Sequence, residues 1–323
     1  MIYMSSNIHL MIYHNHSHTN GSNGISANSS FRSTARGTHR ATRFSIVLQT
    51  NAAFARSVLD AIRRFVKTGL HGVSILAVAS QSDEETLELI GTLRHQSDVF
   101  ALLSQNTERV KAALLEFRSQ GIPVIALVSD LDATVRTTYI GGDNRAAGQL
   151  AGFIFGRSLE RELGVQVAIV SGNLAYRCWE DREIGFRSLL EQRFPQISIV
   201  EIVTESDAPQ ASREAALRVL SNGYAVGGIY NLLGENLGLA QAINKVRLPR
   251  RPLYITHELD EAAEPLLRTG AIDFLITQNL ESIVNAMKRC VIALRTGTDR
   301  PGELNLVPIE LVTKFNLQSR TVL

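Results

Sequence analysis

From Phe44 onward, apolar residues follow two alternating rhythms. One is a short continuous run. The other is a longer stretch in which they return every three or four positions. The short runs read as strands buried on both faces and the spaced stretches as amphipathic helices. On this reading strands fall at 44–48, 73–78, 99–103, 124–128 and 137–140, with helices at 54–66, 84–93 and 108–117. After a helix over 144–162 the alternation starts again. It gives strands at 165–170, 197–203, 226–230, 253–256 and 271–277, and helices at 180–194, 209–221, 235–245, 261–268 and 280–294. A single strand at 307–312 closes the chain.

Strand–helix alternation of this kind specifies an α/β fold with parallel sheets covered on both faces. Two such series predict two Rossmann-like subdomains. The first spans 44–162 plus 280–306 and the second 163–279 plus 307–323, behind a disordered tail at 1–43. The pivot is 137–162. Thr137 to Ile140 favour a strand, Gly141 and Gly142 break it, and Asp143 or Asn144 can cap the helix that follows. Ligands of open α/β sheets bind beyond the carboxyl ends of the strands, so a carboxylate there is a candidate contact.

Composition narrows the class. With 323 residues there is room for about two domains, and 45% hydrophobic with 20% charged residues is globular. A net charge of +2 with scattered Lys and Arg does not make a nucleic-acid-coating surface. No apolar run approaches the roughly 20 residues of a membrane span. Cys178 and Cys290 form no metal motif and read as unpaired thiols. Residues 1–43 are rich in Ser, Asn, Thr, Gly and His, contain no Asp or Glu, and carry +4, leaving −2 for the remainder. Such a stretch buries too little apolar surface to fold alone. His14, His16 and His18 alternate and would share one face if extended, but a metal site also needs supporting groups, so none is assigned.

Catalytic patterns are missing: there is no Gly-x-Ser-x-Gly elbow, no His-Glu-x-x-His and no Walker loop. Beyond residue 39 the histidines are His71, His95 and His257. The chain is therefore read as a binding protein, with neither enzymatic activity nor a cofactor.

The stretches 45–54 (SIVLQTNAAF), 121–127 (GIPVIAL), 139–148 (YIGGDNRAAG), 181–187 (DREIGFR), 227–231 (GGIYN), 255–259 (ITHEL) and 270–279 (GAIDFLITQN) carry a family resemblance. Their order and spacing over 44–318 resemble the type I periplasmic-binding-protein fold, and more narrowly the effector-binding core of LacI/GalR-family transcriptional regulators. The resemblance implies a sugar or sugar-derivative effector between the subdomains, a homodimer whose geometry follows their closure, and a cytoplasmic location. Residues 1–43 lack the apolar periodicity and recognition helix of such a regulator's headpiece, so DNA binding is expected only if a headpiece is restored. The alternative is an exported sugar-binding protein of an ABC transporter, which shares the fold.

Candidate ligand residues follow from strand ends and from the resemblance. Asp143 either accepts from paired hydroxyls or simply caps the helix. Arg182 matches the cleft arginine of the resembling family, whose planar fork suits hydroxyl pairs, or lies on a solvated helix face. Gln278 stands where a Gln often binds the sugar in resembling proteins, or serves the hinge. Asn231 offers donor and acceptor. Asn51 and Phe54 follow the first strand, and Phe54 is either a cleft wall or core. Gln105 ends the third strand. His257 and Glu258 end the strand at 253–256, where the family usually has an acidic contact, and His257 is alternatively a buried structural imidazole. Trp179 either stacks on a sugar ring or staples the start of a helix.

Overall fold

The computed structural model describes residues 12–13, 40–50, 53–162, 164–172, 176–206, 208–222, 225–297 and 302–317. Asn51 and the histidines of the N-terminal tail lie outside the described residues. In chain order the first group is β1 (Ile12–Tyr13), β2 (Thr42–Gln49), α1 (Ala53–Thr68), β3 (Val73–Ser80), α2 (Asp83–Leu93), β4 (Val99–Leu103), α3 (Glu108–Ser119), β5 (Val124–Leu127) and β6 (Thr138–Gly142). The second is α4 (Asn144–Leu159), β7 (Gln166–Gly172), α5 (Arg177–Arg193), β8 (Ser198–Thr204), α6 (Pro209–Leu220), β9 (Val226–Asn231), α7 (Leu237–Lys245), β10 (Leu253–His257), α8 (Ala263–Thr269) and β11 (Phe274–Gln278). Then α9 (Leu280–Thr296) leads to β12 (Leu304–Val307) and β13 (Ile309–Val312).

The strands form two sheets. One has the order β1-β3-β2-β4-β5-β6-β12, the other β13-β11-β10-β9-β7-β8. All ladders are parallel except those of β1 on β3 and β13 on β11. This is the α/β architecture with two largely parallel sheets that the alternation of runs implied. Period-2 geometry explains the burial. In β2, Ile46 and Leu48 enter a core shared with α1 and α9, while Val47 between them faces a second core shared with α2 and α3. Helices α2, α3 and α9 start at short acceptors: Ser82 takes the amide of Glu85, Thr107 that of Val110 and Asn279 that of Ser282.

Three features depart from the sequence reading. First, α4 belongs with the six-stranded sheet, although 144–162 was assigned to the first subdomain. Phe155 of α4 meets Phe186 of α5 at 5.8 Å and Tyr230 of β9 at 6.2 Å between ring centroids. Close approach requires glycine on both helices. A Cβ at Gly148 would strike the carbonyl of Arg182, and one at Gly185 the carbonyl of Arg145. Second, 307–312 is two strands in two sheets. Pro308 has no amide hydrogen to continue a ladder, so Val307 pairs with Gly142 in one sheet and Ile309 with Gln278 in the other. Third, α5 starts at Arg177 rather than at residue 180, which puts Trp179 in its first turn and Arg182 in its second.

The chain thus passes between the sheets at Gly142–Asn144, at Gln278–Leu280 and at Val307–Ile309. Register pairing sets these crossings side by side. Cys178 and Cys290 are both buried free thiols. Among the described residues no helix is long and apolar enough to cross a membrane.

Candidate functional site

Strand carboxyl ends from both sheets converge beside these crossings. A cleft of about 270 Å³ opens there. Asn106, just beyond β4, lines it from the first sheet. Ser171 and Gly172 end β7, Leu232 and Leu233 follow β9, and Tyr176, Arg177, Trp179, Glu180 and Glu183 come from the start of α5. Tyr176 and Trp179 are buried, with ring centroids 4.8 Å apart and planes inclined by 57°. The lining therefore combines aromatic faces, aliphatic side chains, an amide and carboxylates.

Behind the cleft lies a polar knot sealed from solvent. Arg182, 2% exposed, donates from Nε to Asn144 Oδ1 at 2.9 Å, from Nη1 to the Leu232 carbonyl at 3.3 Å, and from Nη2 to Glu258 Oε1. Gln278 donates to the same Glu258 oxygen at 3.1 Å and accepts the Gly142 amide at 2.6 Å. The Thr277 hydroxyl donates to the other Glu258 oxygen at 3.3 Å. Burial opposes the charge on Arg182, yet Glu258 beside it leaves its pKa above the usual arginine value. A buried ion pair is tolerated when its remaining hydrogen-bonding capacity is met, which is the arrangement here. Glu258 holds a left-handed backbone (φ 63°), as does Val128 (φ 65°), whose carbonyl accepts from Tyr139 Oη at 2.9 Å. Non-glycine residues pay for that conformation, and such strain gathers at functional sites and hinges.

The structure brings Arg182, Glu258 and Gln278 into one network, tied to both sheets through Gly142. Asp143 lies apart: it is exposed, and its carboxylate caps α4 by accepting the Ala146 amide at 2.9 Å. Asn231 is buried and shapes the loop after β9, donating to the Glu235 carbonyl at 2.7 Å and accepting the Leu233 amide at 3.1 Å. His257 is buried with Nε2 2.7 Å from Tyr230 Oη. Burial, reinforced by the Arg182 charge, drives its pKa well below the usual histidine value. Phe54 is half-buried against the main core. Gln105 is half-buried and its amide donates to Gln49 Oε1 at 3.1 Å. Of the residues named from the sequence that are described, Trp179 is the one that lines the cleft.

Sequence reasoning missed Asn144, Tyr176, Glu180 and Asn106. A signal for Asn144 existed. Asp143 and Asn144 are both good caps, a helix start uses one, and the second was free for Arg182. Tyr176 and Glu180 were obscured because the start of α5 was placed three residues late.

A family model described as a periplasmic binding protein domain matches residues 43–299. Solved structures share the fold at low identity. GanP, a glucose-galactose binding protein from Geobacillus stearothermophilus, is 20% identical with a TM-score of 0.74, over 86% of this chain and 99% of that one. A putative LacI transcriptional regulator from Bacteroides fragilis is 19% identical with a TM-score of 0.75, over 87% and 100%. An ABC transporter solute binding protein from Bacillus halodurans C-125 with bound myo-inositol is 16% identical with a TM-score of 0.77, over 88% and 98%. No curated protein sequence matches the chain.

Proposed function

Because this chain belongs to the periplasmic binding protein domain family, we propose that it is a receptor for a sugar-like, polyhydroxylated small molecule, of the kind that serves an ABC transporter. The observation that carries this reading is the cleft at converging strand ends, with Asn106 on one side and Tyr176, Trp179 and Glu180 on the other. Aromatic faces cover the C–H surface of a sugar ring, while amide and carboxylate groups take its hydroxyls. The likeness to GanP and to the myo-inositol-bound protein supports the same ligand class. Ligand binding would be read out by closure about the three adjacent crossings.

A second reading is the effector core of a LacI/GalR-like regulator, cytoplasmic and homodimeric, acting on DNA only with a headpiece. The likeness to the Bacteroides fragilis protein favours it. Fractionation of the native host separates the two: recovery outside the cytoplasmic membrane supports the transport receptor, and a cytoplasmic homodimer by light scattering supports the regulator.

The ligand class is testable with the protein's own reporter, since Trp179 is its single tryptophan. Hexoses, pentoses and inositols titrated into the protein should change Trp179 fluorescence and raise the melting temperature together. Failure of every member to do either would overturn the proposal.

A further inference from the structure

Resting on that reading, we infer that the cleft selects a polyhydroxylated ligand bearing a cationic amine, and that Glu180 is the residue that reads the amine. The charged side chains lining the cleft are Arg177, Glu180 and Glu183. Two of them are engaged. Glu183 accepts from Arg187 Nε at 2.8 Å, and Arg187 also donates to Glu201 on β8. Arg177 Nε lies 3.9 Å from one oxygen of Asp181, whose other oxygen accepts from Arg145 at 3.0 Å. These six engaged groups are three cations and three anions, so their formal charges cancel.

Glu180 is what remains. It is exposed at the cleft, and among the described residues it has neither an ion pair nor a side-chain hydrogen bond. It lines the cleft together with Tyr176, the residue that precedes α5, and Trp179 in the helix's first turn. A free carboxylate in a cleft also lined by aromatic side chains suits an ammonium group: the carboxylate accepts a charge-assisted hydrogen bond, and the rings attract the cation. A neutral hydroxyl gains less at the same position, and a ligand carboxylate is repelled.

The experiment is calorimetry on the full chain with three matched probe classes: hexosamines (D-glucosamine, D-galactosamine, D-mannosamine), their parent hexoses, and D-glucuronate with D-galacturonate. At least one hexosamine should bind about tenfold or more tightly than its parent hexose, with the uronates weakest. Glu180→Gln should remove that preference by weakening hexosamine binding to the affinity of the parent hexose, and Glu180→Lys should move the preference to the uronates. Glu180 is exposed on a helix, and circular dichroism of both variants checks that they fold. Equal or tighter binding of parent hexoses or uronates by the wild type would overturn the inference and leave the receptor reading standing. So would an amine preference that survives Glu180→Gln. Binding of no probe by the wild type would overturn the inference, and the pentose and inositol titrations would then decide the receptor reading.

Discussion

Arg182 and Glu258 are nearly sealed from water, and each completes the other's hydrogen bonding through Asn144, Thr277 and Gln278. Removing one charge strands its partner. Glu258→Gln should therefore cost about 3–5 kcal/mol of stability, measured by urea denaturation. Asp143 makes the contrast. Asp143→Asn keeps a cap acceptor and should stay within about 0.5 kcal/mol, while Asp143→Ala should lose about 1 kcal/mol. His257 gives a pH signature. Its folded pKa is depressed, so below about 6.5 the unfolded chain takes up a proton that the folded chain refuses. Stability from this group is complete above that pH and declines as pH falls, by up to about 1.4 kcal/mol per unit. Melting curves between pH 7.5 and 5 should show less of this decline in His257→Gln. At this scale, the residues that meet were legible in the sequence: Gln278 and Glu258 at strand ends come together with Arg182 of α5. Whether they face a cleft or one another depends on side-chain direction, which sequence spacing does not contain.

At the scale of elements, the pairing of α4 and α5 rests on reciprocal glycines together with the Phe155–Phe186 contact. Gly148→Ala and Gly185→Ala each press a methyl group into backbone, which cannot rotate aside, and should destabilise by about 1–3 kcal/mol or more. Gly91→Ala in α2 meets nothing within 4 Å and should instead stabilise by up to about 1 kcal/mol, since glycine is a poor helix former. Thermal melts of the three variants test the contrast. The same geometry explains what the sequence left open. Strand–helix alternation was readable because period 2 and period 3.6 leave different imprints, and most predicted elements lie within a few residues of the observed ones. Which sheet α4 joins was not readable from its period. The information lay in Gly148 and Gly152, whose small size matters only once a partner helix is specified. The start of α5 was displaced because Arg177 and Glu180 interrupt the apolar pattern there, while the residues that open it, Tyr176 and Trp179, pack against each other.

At the scale of the whole molecule, the two sheets are coupled through the polar knot at Gly142, Glu258 and Gln278 and through three adjacent passages of chain. Cys178 and Cys290 sit in the core and, by burial, their thiols are held above the usual pKa, Cys290 at about 12. An aromatic disulfide reagent should leave both unmodified in the native protein and react with both in urea. If the sheets unfold together, the two sites should become reactive over the same transition.

The strand after α9 has a consequence for how the protein is made. β12 closes the edge of β6, yet about 160 residues separate Gly142 from Leu304. A ribosome adding roughly 5–20 residues per second leaves that edge open for about ten to thirty seconds after β6 emerges. During that interval the first sheet offers unpaired backbone groups and the apolar face later covered by α9. The first sheet therefore waits longest for its closing strand, and a chaperone that shelters nascent chains would find its longest-lived target in the portion synthesised first.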